Sequence, residues 1–210
     1  MRIPWPRSKN TVDFITLDFE TASRQPDSPC QLGITVVRGG RITETRTWLI
    51  KPRSFPHFDY WNIRVHGIRP EHVARSPDFR SVWEEVQPMV DDQLVFAHNA
   101  LFDMGVLRST LNSYGMEHPR MRYACSVQLA RKVWPGLPSY SLGKICAWHG
   151  ITFKHHDAGA DAEATARLLI KALEQPLPGD GQLSFSMDEF TRKHRVGIKE
   201  LSSAVVRTSS

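Results

Sequence analysis

The stretch "FITLDFETAS", residues 14–23, decides the fold prediction. Its β-branched and aromatic residues predict a strand over Val12–Phe19. Asp18 and Glu20 lie two apart at the end of this strand. Because side chains alternate across a strand, both carboxylates leave the same face. Two like charges side by side repel, and one would keep its proton unless a cation lay between them. A bare Asp-x-Glu is also typical of a solvated strand end, so the pair needs further support.

The segments that follow indicate a mixed sheet with helices on both faces. Two further strands, Leu32–Val37 and Arg41–Ile50, are joined across Gly39-Gly40, a predicted hairpin turn. After a predicted long loop over 51–75, the remaining elements are a helix from Ser76 to about Val90, a strand Leu94–Ala97, a helix from Ala100 to about Tyr114 capped by Asn99, a strand Arg122–Ala124, and helices over Ser126–Val133, Ser141–His149 and Ala158 to about Leu173, the last capped by Asp157. A hairpin followed by strands alternating with helices is typical of a mixed sheet.

Composition restricts the class of protein. The chain has 210 residues, which suits one domain. Its net charge of +5 favours polyanionic partners such as nucleic acid, although many mildly basic proteins bind none. The polar first ten residues predict no signal peptide, and no apolar run approaches the roughly 20 residues of a membrane span. Three widely spaced cysteines, Cys30, Cys125 and Cys146, fit neither a zinc pattern nor a disulfide framework, which predicts a cytoplasmic protein.

A second acid lies where an apolar residue is expected. In "AHNALFDMGVL", residues 97–107, Asp103 falls in the first turns of a predicted helix. Leu107 and Leu111 follow on the same helical stripe, so Asp103 faces the core. An acid near a helix start can be favourable on the solvent side, but this one points inward. A buried carboxylate is costly unless it is paired or bound to a metal.

The last predicted helix repeats this pattern. Asp161 shares its stripe with Ala164, Leu168 and Ala172, so it also points inward near a helix start. Converging carboxylates from three elements require cations, and oxygen ligands of this kind suit Mg²⁺ or Mn²⁺. Two such ions about 4 Å apart are typical of enzymes that cleave phosphate esters.

The loop before that helix carries two adjacent histidines in "KHHDAGAD", residues 154–161. Residue chemistry alone leaves three functions open for His155 and His156, namely metal ligand, acid/base catalyst and solvated loop. It also does not choose between the two rings.

Three segments together resemble a known family. "LDFETA" (17–22), "AHNALFDMGVL" (97–107) and "HDAGADAEATARLL" (156–169) resemble, in order, the motifs of the DEDD 3′–5′ exonucleases that use a catalytic histidine. The proofreading epsilon subunit of bacterial DNA polymerase III and ribonuclease T belong to this subgroup. "VHGIRPEHV" (65–73) resembles a loop found in many members. The resemblance covers about residues 12–174. It implies a ribonuclease H-like α/β fold with a mixed five-stranded sheet and an exonuclease domain over 1–175. Residues 176–210 are rich in Pro, Gly and Ser and have little pattern, which predicts a C-terminal tail or extension.

The resemblance also implies the site residues. Two divalent ions, Mg²⁺ or Mn²⁺, would be held by four metal ligands: Asp18, Glu20, Asp103 and Asp161. The family's histidine lies five residues before its last aspartate, which makes His156 the general base and leaves His155 as a neighbour expected to contact solvent or substrate.

Substrate contacts are implied beside the motifs. Backbone N–H groups of Thr21 and Ala22 are expected to reach the 3′-terminal sugar. His66 and Phe102 are expected to border the terminal nucleotide by stacking or phosphate contact. Two structural alternatives stay open, because His66 also suits loop hydrogen bonding and Phe102 also suits the core.

The expected reaction is release of nucleoside 5′-monophosphates from the 3′ ends of nucleic acid, and single-stranded DNA is the preferred substrate expected. An exoribonuclease and a catalytically silent nucleic-acid-binding module of the same fold are alternatives. The stretch "HHD" at 155–157 also suggests a metal phosphohydrolase of the HD type. That class is all-helical, so the position of Asp18 and Glu20 on a predicted strand argues against it. A DNA polymerase or sliding clamp is a possible partner, since "QLSF" at 182–185 faintly resembles a clamp-binding motif. No membrane partner is expected.

Overall fold

The computed structural model describes residues 12–175 and 186–202, which form a mixed sheet with helices on both faces. The strands are β1 Phe14–Thr21, β2 Pro29–Arg38, β3 Arg41–Leu49, β4 Leu94–Ala97, β5 Met121–Cys125 and β6 Lys199–Leu201. The helices are α1 Tyr60–His66, α2 Pro70–Val73, α3 Phe79–Val90, α4 Ala100–Ser113, α5 Ser126–Val133, α6 Leu142–Trp148, α7 Ala158–Leu173 and α8 Met187–Lys193. Within these ranges, no helix combines the length and apolar character that crossing a membrane requires.

The strand order is β3-β2-β1-β4-β5-β6. The first three strands form an antiparallel meander, and Gly39 and Gly40 turn its second hairpin with φ of 57° and 74°. Strands β4 and β5 run parallel to β1, so their carboxyl ends meet at one edge of the sheet. The predicted mixed sheet is confirmed, and β6 adds a sixth strand to the five expected.

Alternation along β1 decides which way its acids point. Ile15, Leu17 and Phe19 pack in the core that contains α3 and α4. The Thr16 hydroxyl faces the other side, where it donates a hydrogen bond to the Ala162 carbonyl of α7 at 2.7 Å. Asp18 shares the parity of Thr16, so it leaves the sheet on the α7 side.

The first turn of α7 lies almost on the backbone of β2. A Cβ at Gly33 would lie 2.0 Å from the Ala158 carbonyl oxygen, so only glycine permits this approach. The Gln31 side-chain oxygen accepts the Ala158 N–H at 3.0 Å, and Asp157 Oδ1 accepts the Ala160 N–H at 3.2 Å. The predicted Asp157 cap is therefore confirmed. Together, these contacts hold the first turn of α7 in place against β2.

The prediction of a loop over 51–75 is wrong, because the segment contains α1 and α2. Helix α1 has no buried residue, so it carries no apolar stripe from which a helical period can be read. It ends at Gly67, which adopts the left-handed conformation with φ of 74°.

The segment after residue 175 adds packed structure to the domain. Phe190 of α8 is fully buried in the core on the α7 side of the sheet, beside Phe14 and Phe96. Strand β6 pairs antiparallel with β5, and Leu201 is buried in the opposite core. The predicted boundary at residue 175 does not coincide with the end of the sheet, and we propose that the exonuclease domain includes α8 and β6. The stretch 182–185 lies outside the described residues.

We expect Phe190→Ala to lower the free energy of unfolding by about 3–5 kcal/mol, because it removes a large buried ring. Arg192→Ala, on the exposed side of the same helix, should change it by no more than about 0.5 kcal/mol. Urea unfolding followed by circular dichroism measures both. Equal stability of the two variants would show that α8 is dispensable for the fold.

Candidate active site

Carboxylates from three elements converge at the carboxyl ends of the parallel strands. Oxygen atoms of Asp18 and Glu20 on β1 and of Asp161 on α7 all lie within 4.8 Å of one another. Asp103 on α4 approaches from the other side of β1, where its Oδ1 accepts the Phe19 N–H at 3.0 Å. Asp103 is therefore tied to the backbone between the two β1 acids.

Burial of the two helical acids agrees with their predicted stripes. Asp103 is only 1% exposed, and Leu107 and Leu111 below it are fully buried. Asp161 is 5% exposed above the buried Leu168. Both acids therefore lie inside the protein near the start of a helix, where the positive end of the helix dipole favours their negative charge.

The start of α4 is held differently from the prediction. Asn99 makes no side-chain cap, and instead it adopts the left-handed conformation with φ of 73°, which Asn tolerates better than most residues. The His98 ring bridges the Ser126 hydroxyl and the Tyr140 carbonyl, each at 2.9 Å. His98 thus fixes the turn that leads into Asp103.

Without a cation, these acids resist ionisation. Burial raises the pKa of Asp18 well above its ordinary value, and the charges of Asp103 and Asp161 raise it further. Burial likewise raises the pKa of Asp103, although the Phe19 N–H opposes this rise. Burial, together with the charge of Asp161, raises the pKa of Glu20 to about 7. The cluster is therefore incompatible with four full charges at neutral pH unless positive charge is supplied.

The residues present fit divalent metal ions. Asp103 Oδ2 and Asp161 Oδ1 are buried and have no hydrogen-bond partner among the described residues. Orphaned oxygens of this kind are costly in an interior and are well satisfied by a hard cation. Asp18 and Glu20 supply further oxygens on the same face. The donor set is all oxygen, which suits Mg²⁺ or Mn²⁺.

Both histidines of the loop before α7 reach this cluster. The His156 backbone N–H donates to Asp161 Oδ2 at 3.1 Å, and its exposed ring lies on the solvent side. His155 Nδ1 lies 3.4 Å from Asp161 Oδ1, which is close enough for an ion pair but not aligned as a hydrogen bond. The His155 side chain is 42% exposed, which agrees with a neighbour that contacts solvent, and its ring also lies beside Asp161.

An open cleft of about 510 Å³ is lined by the chain neighbours of two of the acids, Thr21 after Glu20 and Phe102 before Asp103. It is lined by Thr21, Ser23, Arg24, Gln25, Pro26, Asn62, Leu101, Phe102, Gly105 and Val106. Phe102 is 47% exposed, so the core alternative for this residue is wrong. Of these ten lining residues, sequence reasoning predicted Thr21 and Phe102 and missed the other eight, among them Leu101 and Asn62. Leu101 is 81% exposed on α4, and Asn62 donates to the Thr21 carbonyl at 2.9 Å. A leucine off the apolar stripe of α4 was the available signal for Leu101.

Two predicted substrate contacts are already occupied within the protein. The Ala22 N–H donates to the Ser28 carbonyl at 2.7 Å, so the prediction that it reaches the sugar is wrong for this conformation. His66 Nδ1 accepts the Ile68 N–H at 2.9 Å, which leaves Nε2–H to donate to the Thr21 carbonyl at 3.1 Å. Both ring nitrogens of His66 therefore hold the loop, and only its ring face remains for a substrate.

Comparison with known proteins identifies the class. The family model RNase_T, described as an exonuclease, matches residues 15–169, and the chain belongs to this exonuclease family. Among solved structures, "Exonuclease X in complex with 5′ overhanging duplex DNA" is 25% identical with a TM-score of 0.65, covering 85% of this chain and 99% of that one. The nuclease domain of 3′hExo, a DEDDh family member bound to rAMP, shares the fold with a TM-score of 0.67 at 13% identity, covering 85% and 96% of the two chains.

Curated relatives are much longer proteins. The 3′-5′ exonuclease DinG of Bacillus subtilis (strain 168) is 31% identical over 173 residues, which are 79% of this chain and 18% of that protein. DNA polymerase III PolC-type of Mycoplasmopsis pulmonis (strain UAB CTIP) is 26% identical over 163 residues, which are 75% of this chain and 11% of the polymerase. The chain thus spans less than a fifth of the length of each of these relatives.

The raised pKa values predict an unusual dependence of stability on pH. The pKa of Glu20 rises from 4.5 to about 7 and that of Asp161 from 3.8 to about 6. Between the unfolded and folded values, the unfolded chain loses protons that the folded chain keeps, so stability falls as pH rises. In a chelator, the melting temperature should fall from about pH 4 to pH 7, and Mg²⁺ or Mn²⁺ should reverse most of this loss.

Asp18→Asn should relieve the repulsion. In the chelator at neutral pH it should melt at a higher temperature than the wild type, and added Mn²⁺ should stabilise it less. Glu84→Gln, an exposed acid on α3, is the control and should match the wild type in both conditions. Differential scanning fluorimetry measures all three proteins, and a lower melting temperature for Asp18→Asn in the chelator would contradict the repulsion.

Proposed function

We propose that this domain removes nucleoside 5′-monophosphates one at a time from the 3′ ends of nucleic acid, with single-stranded DNA as its preferred substrate. One observation carries the proposal: four carboxylates converge, and two of their oxygens are buried without a partner, beside exposed histidines and an open cleft. Membership of the exonuclease family supports the reaction class.

Asp18, Glu20, Asp103 and Asp161 would hold two divalent ions, Mg²⁺ or Mn²⁺. When bound, such ions neutralise the charge that develops on the phosphate and on the departing 3′ oxygen. The protein contributes rigidity, because the Phe19 N–H fixes one oxygen of Asp103 and the His156 N–H fixes one oxygen of Asp161. Each of these two carboxylates keeps its second oxygen free for a cation.

His156 would act as the general base. Its ring is exposed at the edge of the carboxylate cluster, on a loop whose backbone is anchored to Asp161. A neutral imidazole at this place can accept the proton of the attacking water. His155 is the competing candidate, since its Nδ1 lies beside Asp161 Oδ1 at 3.4 Å.

The cleft beside Thr21 would hold the terminal nucleotides. Phe102 and Leu101 offer exposed apolar surface on which bases can stack, and Arg24 adds a positive charge at the rim. Thr21 lines this cleft, and the His66 ring lies against the Thr21 carbonyl, so the ring face of His66 would border the terminal nucleotide. Sequence-tolerant stacking suits a nuclease that degrades ends of any sequence.

An exoribonuclease is the second candidate function. One structural neighbour is complexed with overhanging duplex DNA and another is bound to rAMP, so ligands of both the deoxyribose and the ribose type occur among proteins of this fold. A silent binding module of the same fold would lack turnover altogether. Association with a DNA polymerase or sliding clamp, suggested by the PolC-type relative, and a cytoplasmic location, suggested by three free cysteines, are further parts of the proposal.

Strand polarity tests the function directly. We expect 3′-labelled single-stranded oligonucleotides to release labelled nucleoside 5′-monophosphate at once, and 5′-labelled ones to shorten stepwise, with Mn²⁺ or Mg²⁺ present and not in a chelator. Matched DNA and RNA, single-stranded, paired and mismatched, rank the substrates. Cutting of a closed circular single strand at a comparable rate would contradict an exonuclease, and no turnover under any condition would favour the silent module.

Substitution separates the base from its neighbour. His156→Ala should lower kcat by about 10²–10⁴, the usual contribution of a positioned general base, while binding of Mg²⁺ or Mn²⁺ persists. Asp161→Asn should weaken metal binding and abolish turnover, because it removes an anionic ligand. His155→Ala should retain far more activity than His156→Ala. The reverse order of the two histidine variants would assign the base to His155.

A further inference from the structure

The loop before α7 forms a second cluster of ligand atoms beside the carboxylates. One nitrogen from each of His155 and His156 and one oxygen of Asp161 all lie within 4.8 Å of one another. Asp161 is 5% exposed, and its Oδ1 has no hydrogen-bond partner among the described residues. A buried, unpartnered oxygen therefore faces two accessible imidazoles.

An unusual backbone conformation brings the two rings together. Neighbouring residues of an extended chain point to opposite sides. His156 instead has φ of 60°, the left-handed conformation that non-glycine residues rarely adopt. As a result the rings of His155 and His156 lie side by side, with centroids 4.7 Å apart and planes inclined by 30°. Local strain of this kind is typical of functional sites.

Packing against α6 orients the His155 ring. A Cβ at Gly143, in the first turn of α6, would lie 2.2 Å from His155 Nε2, so this nitrogen rests against the helix. Phe153 packs on the same ring with centroids 4.7 Å apart. The nitrogen turned toward Asp161 is therefore Nδ1, at 3.4 Å from Oδ1.

The chemistry of this cluster differs from that of the carboxylates. Two imidazoles and a carboxylate form a ligand set typical of Zn²⁺ and its neighbours in the first transition row, whereas all-oxygen sites suit Mg²⁺ and Mn²⁺. We propose that His155, His156 and Asp161 form a binding site for a transition-metal ion, and that the preferred ion is Zn²⁺. Zinc–ligand bonds are about 2.0–2.2 Å, so the exposed loop closes slightly on binding.

The consequence rests on the proposed function. Zn²⁺ at this site would be coordinated by the imidazole of His156 and the carboxylate of Asp161. Hydrolysis requires both groups. The ion would therefore inhibit the Mg²⁺-dependent reaction, and the adjacent histidines would make the nuclease sensitive to zinc.

Metal binding tests the site without measuring activity. Zn²⁺ affinity of the metal-free full chain is determined at neutral pH by competition with a chromogenic chelator, and Mn²⁺ affinity by electron paramagnetic resonance. His155→Asn should bind Zn²⁺ roughly tenfold or more weakly and keep its Mn²⁺ affinity. Asp18→Asn should show the opposite pattern, with weakened Mn²⁺ and retained Zn²⁺.

Two further variants refine the test. Gly143→Ala retains every ligand but displaces the His155 ring, so it should weaken Zn²⁺ alone, and alanine in a helix should not harm folding. Lys154→Ala, on the same loop, is the control and should bind Zn²⁺ as the wild type does. Equal Zn²⁺ affinity in wild type and His155→Asn, or loss of Zn²⁺ binding in Asp18→Asn, would overturn the proposal. Absence of nuclease activity in wild type would instead refute the proposed function and leave the Zn²⁺ result standing.

Discussion

Mutual repulsion of the carboxylates is the constraint around which the domain is arranged. Asp18, Asp103 and Asp161 come from a strand and two helices. Burial and the charges of Asp103 and Asp161 raise the pKa of Asp18, and burial and the charge of Asp161 raise the pKa of Asp103. They stay together because the helices that carry two of them are anchored by extensive apolar packing on both faces of the sheet. The folded protein therefore holds a destabilised site in place by stability gained elsewhere, which is typical of functional sites.

Close packing at a few positions converts the fold into a site. Gly33 lets the start of α7 approach β2, and this approach brings Asp161 within reach of the β1 acids. The Phe19 N–H binds Asp103 from the other side of the same strand. Hydrogen bonds of this kind fix one oxygen of a carboxylate and leave the other available, so the geometry is prepared before any cation arrives.

The C-terminal segment shows how such a domain closes one edge of its sheet. Strand β6 covers β5, and α8 buries Phe190 against the same core that supports α7. Arg122 on β5 and Asp188 on α8 form an ion pair that joins the two. Strand β6 thus forms the edge of the sheet opposite β3, and two strands, β4 and β5, separate it from the acids on β1.

Period-two and period-3.6 patterns are local properties of the chain, so five of the six strands, the helical stripes and the inward acids could be predicted from the sequence. Asp103 and Asp161 were predictable for this reason, since each interrupts an apolar stripe. The remaining features depend on contacts between residues distant in the chain. Helix α1 has no buried residue, so its sequence contains no apolar stripe from which it could be predicted. The N–H of Ala22 donates to the Ser28 carbonyl, a contact that depends on how the intervening loop folds. The contact of His155 with Asp161 depends on the left-handed turn at His156 and on Gly143 of a separate helix. Contacts of this kind join residues whose proximity no local pattern encodes.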